Sequence, residues 1–228
     1  MIFNESIVLF LDKVFEEVFM ISTTTNKSST LFVYPYEPLE IDFGSLLKPI
    51  SDDDFLRLSR GNQDLQIEMT KDGDLIIMPG TGGLTGNRNA RIIARAVIWA
   101  EADGSGVTFD SDTIFRLPNG AKRLPDFSWV RNEKWNSLTD AEKEKIVPFA
   151  PDFLIELRSP TDSLTDLQTK MREYVENGAS LGWLIDPTNK CVFVYRPNAE
   201  VEISENPETV SGEPLLKGFT LNLKEIWE

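Results

Sequence analysis

Histidine is absent from the 228 residues, and cysteine occurs once, as Cys191. These two shortages exclude a Ser-His-Asp triad, a Cys-His pair, histidine general-base chemistry and zinc sites built from histidine or several cysteines. One cysteine also leaves no intramolecular disulfide, which fits a reducing cytoplasm. Long apolar runs are scarce as well. Near the start, Ile7 to Leu11 is bounded by charge and far too short to span a bilayer, and no basic n-region or small-residue cleavage site marks a signal peptide. No membrane association is expected. Basic charge is the fourth shortage: 23 Lys and Arg face 37 Asp and Glu, a net charge of −14. Non-specific attraction to nucleic acid is disfavoured on that balance. The excess is uneven, however. Residues 80–130 carry six basic and five acidic side chains, so a nucleic-acid surface there stays open. Any catalysis must rest on carboxylates, lysine, tyrosine or a metal.

The length suits one sizeable domain with its own core. Residues 1–20 place Ile7, Leu11, Val14, Phe15 and Val18 at helical spacing, and the polar stretch Ser22–Thr30 follows. Translation from Met20 instead of Met1 is an alternative. The expected organisation is an N-terminal extension over 1–49 outside the core fold, a domain over 50–200, and an acidic segment over 201–228 packing on or flanking it.

Local signals give the elements. Ser51 before Asp52, Asp53 and Asp54 is a helix start, because its hydroxyl and the acids suit the orphan amides. Leu65–Met69 and Asp74–Met78 flank Lys71-Asp72-Gly73 as a hairpin. Asn87–Glu101 reads as a helix with Ala90, Ile93, Ala94, Val97 and Ile98 inward, ended by Gly104-Ser105-Gly106. Short strands follow at Val107–Asp110, Thr113–Leu117 and Pro125–Val130. Leu138–Ile146 is expected as a surface helix capped by Thr139. Phe153–Leu157 is a central strand by its near-continuous apolar character. Thr165–Asn177 is a helix stopped by Gly178, and Leu181–Ile185 and Val192–Tyr195 are strands. This order implies an α/β fold, a mixed sheet flanked by helices.

Asp126 heads one apolar strand and Glu156 lies inside another. Acids side by side on buried strands are costly without a cation. If the strands are neighbours, both carboxylates reach one end of the sheet. Oxygen-only ligation there suits Mg²⁺ or Mn²⁺. On the Thr165–Asn177 helix, Lys170 borders the buried stripe Leu167, Met171 and Tyr174, so its stem can reach toward the sheet.

Pro125-Asp126 followed by Glu156 in a strand resembles the PD-(D/E)XK nuclease superfamily. More narrowly, Leu117–Asp126 (LPNGAKRLPD), Pro151–Pro160 (PDFLIELRSP), the Lys170…Tyr174 helix and Leu181–Pro187 (LGWLIDP) resemble its Uma-type branch. The segments Glu68–Gly83 and Gly86–Asn89 match that branch too, so the likeness spans roughly 50–200. The resemblance implies a restriction-endonuclease-like fold and metal-dependent cleavage of nucleic acid, with DNA the expected substrate. Asp126 and Glu156 would hold Mg²⁺ or Mn²⁺. The superfamily lysine two after the glutamate is here Arg158, which does not readily lose a proton but can hold a phosphate. In the Uma-type branch the lysine sits on the following helix, matching Lys170, and Glu68 matches a recurrent acid that would ligate metal or position water. Cutting both strands with one site per chain favours a homodimer.

Plainer readings stand beside these. Asp126 could cap a strand, and Glu156 could pair with Arg158 or another arginine. Lys170 could bridge to Asp166 or Glu173 on its own helix, and Glu68 could lie on the surface. Arg88, Arg91 and Arg95 share a helix face that either tracks phosphates or is merely solvated. Two other functions use the same features: a non-catalytic binding or scaffold protein that keeps the fold, and a phosphatase acting on small nucleotides.

Overall fold

The computed structural model describes residues 39–41, 50–63, 65–78 and 80–228. The expected helix near residues 1–20 and the alternative start at Met20 lie outside them. Among the described residues no helix is long and apolar enough to cross a membrane.

The main sheet has six strands: β4 (Gly106–Phe109), β7 (Phe127–Arg131), β8 (Phe153–Leu157), β9 (Leu181–Asp186), β10 (Cys191–Tyr195) and β11 (Glu202–Glu205). Their order is β11-β10-β9-β8-β7-β4. Only β8 and β9 run parallel, and helix α5 (Leu164–Glu176) makes the crossover between them. Every residue of β8 and β9 is buried, because helices and loops cover both faces. On one face Met171 and Tyr174 of α5 pack with Leu154, Leu184 and Tyr195. On the other, helix α2 (Gly83–Asp103) and the chain's last segment pack against Phe127, Phe153, Ile155 and Trp183. That segment contains the hairpin β12 (Thr209–Ser211) and β13 (Thr220–Asn222) and helix α6 (Lys224–Trp227). Phe219 stacks on Trp183, ring centroids 5.7 Å apart.

A smaller sheet, β1-β3-β2-β6-β5, combines β1 (Leu39–Ile41), β2 (Gln66–Met69), β3 (Leu75–Met78), β5 (Phe115–Arg116) and β6 (Lys122–Arg123). The hairpin across Lys71-Asp72-Gly73 pairs β2 with β3. Helix α1 (Asp52–Gly61) starts where Ser51 predicts, with the Asp54 amide donating to the Ser51 hydroxyl at 3.2 Å.

Two helices depart from the sequence reading. Helix α2 begins at Gly83, four residues early, and its inward face is shifted: Ile93 and Val97 pack against the core as expected, but at its edge. Ile92, Ala96 and Ala100 are buried, whereas Ala90 and Ala94 are exposed and Ile98 is 61% exposed. Aliphatic residues line both sides of this helix, so periodicity alone does not choose. Ala96 and Ala100 share one buried cluster with Trp129 and Phe153, where small helix side chains leave room for large rings. Its end is as expected: Gly104 adopts φ +69° as the left-handed cap. The Leu138–Ile146 helix shrinks to α4 (Asp140–Lys143), which follows the short α3 (Asn132–Trp135). Thr139 and Glu142 form a capping box. The helix ends there because Ile146 and Val147 are buried, and the Val147 amide donates to Ile114 at 3.0 Å.

Candidate active site

Antiparallel pairing sets Phe127 of β7 opposite Ile155 of β8. One position further along that register, Asp126 comes to Glu156. The Leu157 amide donates to Asp126 Oδ2 at 2.7 Å, tying the aspartate to the end of β8. The two acids therefore share one end of the main sheet. Asp126 is half-buried, and Glu156 is 4% exposed.

Lys170 completes the group. From α5 its Nζ lies 2.9 Å from Glu156 Oε1 and 2.8 Å from Glu68 Oε1. It pairs with neither Asp166 nor Glu173, the partners its own helix offers. One turn later, the Tyr174 hydroxyl donates to Glu156 Oε1 at 3.2 Å. Glu156 thus takes its ion pair from α5 and not from Arg158.

Glu68 of β2 is 2% exposed, so the surface reading fails. Its Oε1 also accepts from the Leu124 amide at 2.8 Å, and Oε2 accepts from Arg123 Nη1 at 3.0 Å. Arg158 is not brought into the group. It lies 2.9 Å from Asp186 Oδ2 and donates to the Asp162 carbonyl at 3.1 Å. Asp152 likewise stands apart, buried and paired with Arg131 at 2.9 Å.

Burial pushes the Asp126 carboxyl up to about 6, against the Leu157 amide and Lys170, with Asp162 and Glu68 adding repulsion. Burial also raises Glu156, against Lys170, and the neighbouring Asp126 and Glu68 charges raise it further. Glu68 is as deeply desolvated, but Lys170 and Arg123 outweigh that and hold it below the usual carboxylate range. Lys170 suffers from burial too, yet Glu156 and Glu68 hold it charged well above the ordinary lysine range. Among the described residues, the shortage of positive charge falls at the Asp126–Glu156 end.

Among the described residues, Asp126 Oδ1 and Glu156 Oε2 accept no hydrogen bond, whereas both Glu68 oxygens are engaged. The first two are the donors that could hold a cation, whereas each Glu68 oxygen already meets a positively charged side chain. No group of three or more Asp, Glu, Cys or His gathers as a metal cage among these residues. Two carboxylates, with water and a substrate oxygen completing the shell, is a donor set that magnesium and manganese accept.

A cavity of about 770 Å³ opens elsewhere, lined by Ser51, Leu56, Met69, Lys122 and Ile146 among others, and includes none of Asp126, Glu156 or Lys170. Its buried Lys122 and its Arg116 are both paired with Asp52 at 3.3 Å. The perturbed carboxylates, not this cavity, mark the chemistry. On α2, Arg91 and Arg95 lie 3.7 and 3.4 Å from Glu225, so two of the three arginines of that face are already engaged.

Sequence reading overlooked Arg123. It is 8% exposed and joins Glu68 to Glu173 of α5. Its signal in the sequence is a basic residue inside the segment leading to Asp126.

The profile of the Uma2 family, described as "Putative restriction endonuclease", matches residues 52–224. No curated protein matches the chain. Among solved structures, a protein from Anabaena variabilis ATCC 29413, described as "a putative nuclease belonging to DUF820", aligns with a TM-score of 0.65. The two are 24% identical, over 78% of this chain and 98% of that one. That likeness establishes the shared α/β fold, mixed sheets flanked by helices. Since the family match runs through α1, both sheets and α5 and covers well over half of the residues, the chain belongs to the Uma2 family.

Proposed function

We propose that this protein is a Mg²⁺- or Mn²⁺-dependent endonuclease that hydrolyses DNA phosphodiester bonds, working as a homodimer when both strands are cut. The observation that supports it best is the single group formed by Asp126, just before β7, Glu156 of β8 and Lys170 of α5. Asp126 Oδ1 and Glu156 Oε2 would hold the metal. When bound, it would neutralise charge on the scissile phosphate and acidify a water. The Leu157 amide fixes the Asp126 carboxylate, and Tyr174 with Lys170 fixes that of Glu156, so both free oxygens are oriented in advance. Lys170, kept protonated, presents an ammonium beside that end of the sheet, where it can stabilise the developing phosphate charge or orient the attacking water. Arg158 is withdrawn into its pair with Asp186 and takes no part.

The test compares wild type, Asp126→Asn and Glu156→Gln on duplex DNA, single-stranded DNA, RNA and nucleotide monophosphates, with Mg²⁺, Mn²⁺ or EDTA. Cleavage by wild type that needs metal and falls at least ~100-fold in both variants is expected. Equal cleavage by all three proteins would refute the proposal. Turnover of the monophosphates alone would make the protein a phosphatase.

A further inference from the structure

We infer that Arg123 is a positioning residue: it sets Lys170 against Glu156 by gripping Glu68 on one side and Glu173 on the other. The inference rests on the nuclease reading for what Lys170 does, but the geometry of the grip is independent of it.

Strand β6 pairs with β2 at Met69 opposite Lys122, which brings Arg123 opposite Glu68. Arg123 Nη1 lies 3.0 Å from Glu68 Oε2, while Nε and Nη2 lie 2.7 and 2.6 Å from Glu173 Oε2. The other Glu173 oxygen accepts from Asn119 Nδ2 at 2.9 Å. Glu173 is one turn beyond Lys170 on α5, on the same side of the helix. Arg123 thus fixes both things that place the lysine. Through Glu173 it fixes the helix that carries Lys170, and through Glu68 it fixes the carboxylate that receives it. The Leu124 amide holds the remaining freedom of Glu68.

A planar guanidinium is needed for this, because two carboxylates from different elements must be met by donors with fixed divergence. A lysine carries all its donors on one nitrogen, so from this place it could not span Glu68 and Glu173 as the separated Nη1 and Nε do. Arg123 forms no hydrogen bond or ion pair with Asp126 or Glu156 among the described residues. It is therefore not a catalytic residue. If Arg123 only held the fold together, its loss would lower stability without moving Lys170.

The experiment uses Arg123→Lys and Glu173→Gln, the second cutting only the outer arm in case the first fails to fold. The side-chain ammonium signals of ¹⁵N-labelled, metal-free protein are recorded, with Lys170 assigned by its loss in Lys170→Met. In wild type the Lys170 ammonium, only 12% exposed, should give a protected signal. Both variants should lose or broaden it while the backbone spectrum stays native. Cleavage should fall ~10–100-fold in kcat with KM unchanged, the cost of a misplaced group. Mn²⁺ binding by calorimetry should be retained, since Asp126 and Glu156 are untouched. An unchanged Lys170 signal in a natively folded variant would overturn the inference, even if wild type cleaves DNA. Loss of the signal in a protein that never cleaves would uphold the grip and overturn the nuclease reading instead.

Discussion

Asp126→Asn should make the metal-free protein more stable, and only above acidic pH. In the unfolded chain an aspartate ionises near 3.8, whereas in the fold burial pushes Asp126 up to about 6. At 1.36 kcal/mol per decade, that difference is about 3 kcal/mol against the ionised form. Asp126 keeps some surface of its own, and solvent screening reduces the figure to about 2 kcal/mol. The sign follows from where the proton is held more tightly. Between about pH 4 and pH 6 the folded state binds more protons than the unfolded one, so stability falls as pH rises through that window and stays low above it. Asparagine never ionises and still offers an oxygen to the Leu157 amide. The variant should therefore match wild type at pH 4 and melt about 4–8 °C higher at pH 8 in EDTA. Saturating Mn²⁺ should reverse the order. A ligand at one hundred times its Kd stabilises by about 2.7 kcal/mol, and only wild type keeps both carboxylates to receive it. Thermal melts followed by circular dichroism, in EDTA and in Mn²⁺ across this pH range, decide the matter. Equal melting at pH 8 in EDTA would refute the reasoning, as would a gap equally large at pH 4.

Lys170→Met should cost about 3–5 kcal/mol near neutral pH, because it leaves Glu68 and Glu156 buried without their shared cation; urea unfolding showing a loss under about 1 kcal/mol would contradict that seat. Gly106→Ala should cost about 1–3 kcal/mol by overpacking, since a Cβ there would overlap the Trp129 ring, and an unchanged urea midpoint would show that the ring moves aside freely. Arg158→Ala should lower stability by about 1–3 kcal/mol by leaving its buried partner Asp186 unpaired, yet leave the calorimetric Mn²⁺ affinity as in wild type; a large loss of affinity would return Arg158 to the site.

Much of this was legible because it depends on short-range chemistry. Ser51 with its acids, Lys71-Asp72-Gly73, the Gly104 cap and the apolar strand around Glu156 each carry their structural instruction in a few adjacent residues. Asp126 and Glu156 stood out because buried acids are rare and both sit in apolar strands. What escaped depends on choices between alternatives that local pattern leaves equal. Helix α2 is aliphatic on two sides, and only the large rings awaiting it select the alanine face. The Leu138–Ile146 segment continues its helical pattern, but the sheet's need for Ile146 and Val147 ends it early. Arg123 is the clearest case. Its importance lies in joining β2 to α5, elements 105 residues apart at Glu68 and Glu173, and no window of sequence contains both.

The same logic accounts for a lysine on a helix instead of on the strand beside Glu156. The structure places an ammonium at Glu156 Oε1, and two routes lead there. One is the strand itself, where position 158 follows Glu156 on the same side. In this chain the parallel pairing of β8 with β9 carries position 158 alongside Asp186. Asp186 is fully buried and already accepts from the Thr188 and Asn189 amides, so it needs a cation and takes Arg158 at 2.9 Å. A lysine there would face two competing carboxylates. The second route is the crossover helix, which must pass over this face because parallel strands cannot be joined by a tight turn. Lys170 uses it, and the helix brings Tyr174 to the same oxygen one turn later. The cost of the helical route is that the lysine's position now depends on how α5 is anchored relative to the small sheet. The Glu68–Arg123–Glu173 bridge supplies that anchor. On this reasoning, restoring a strand lysine by Arg158→Lys in a Lys170→Met background should not recover activity, because Asp186 captures the new ammonium. Adding Asp186→Asn should release it, and a triple variant no more active than the double one would show that the helix position cannot be replaced.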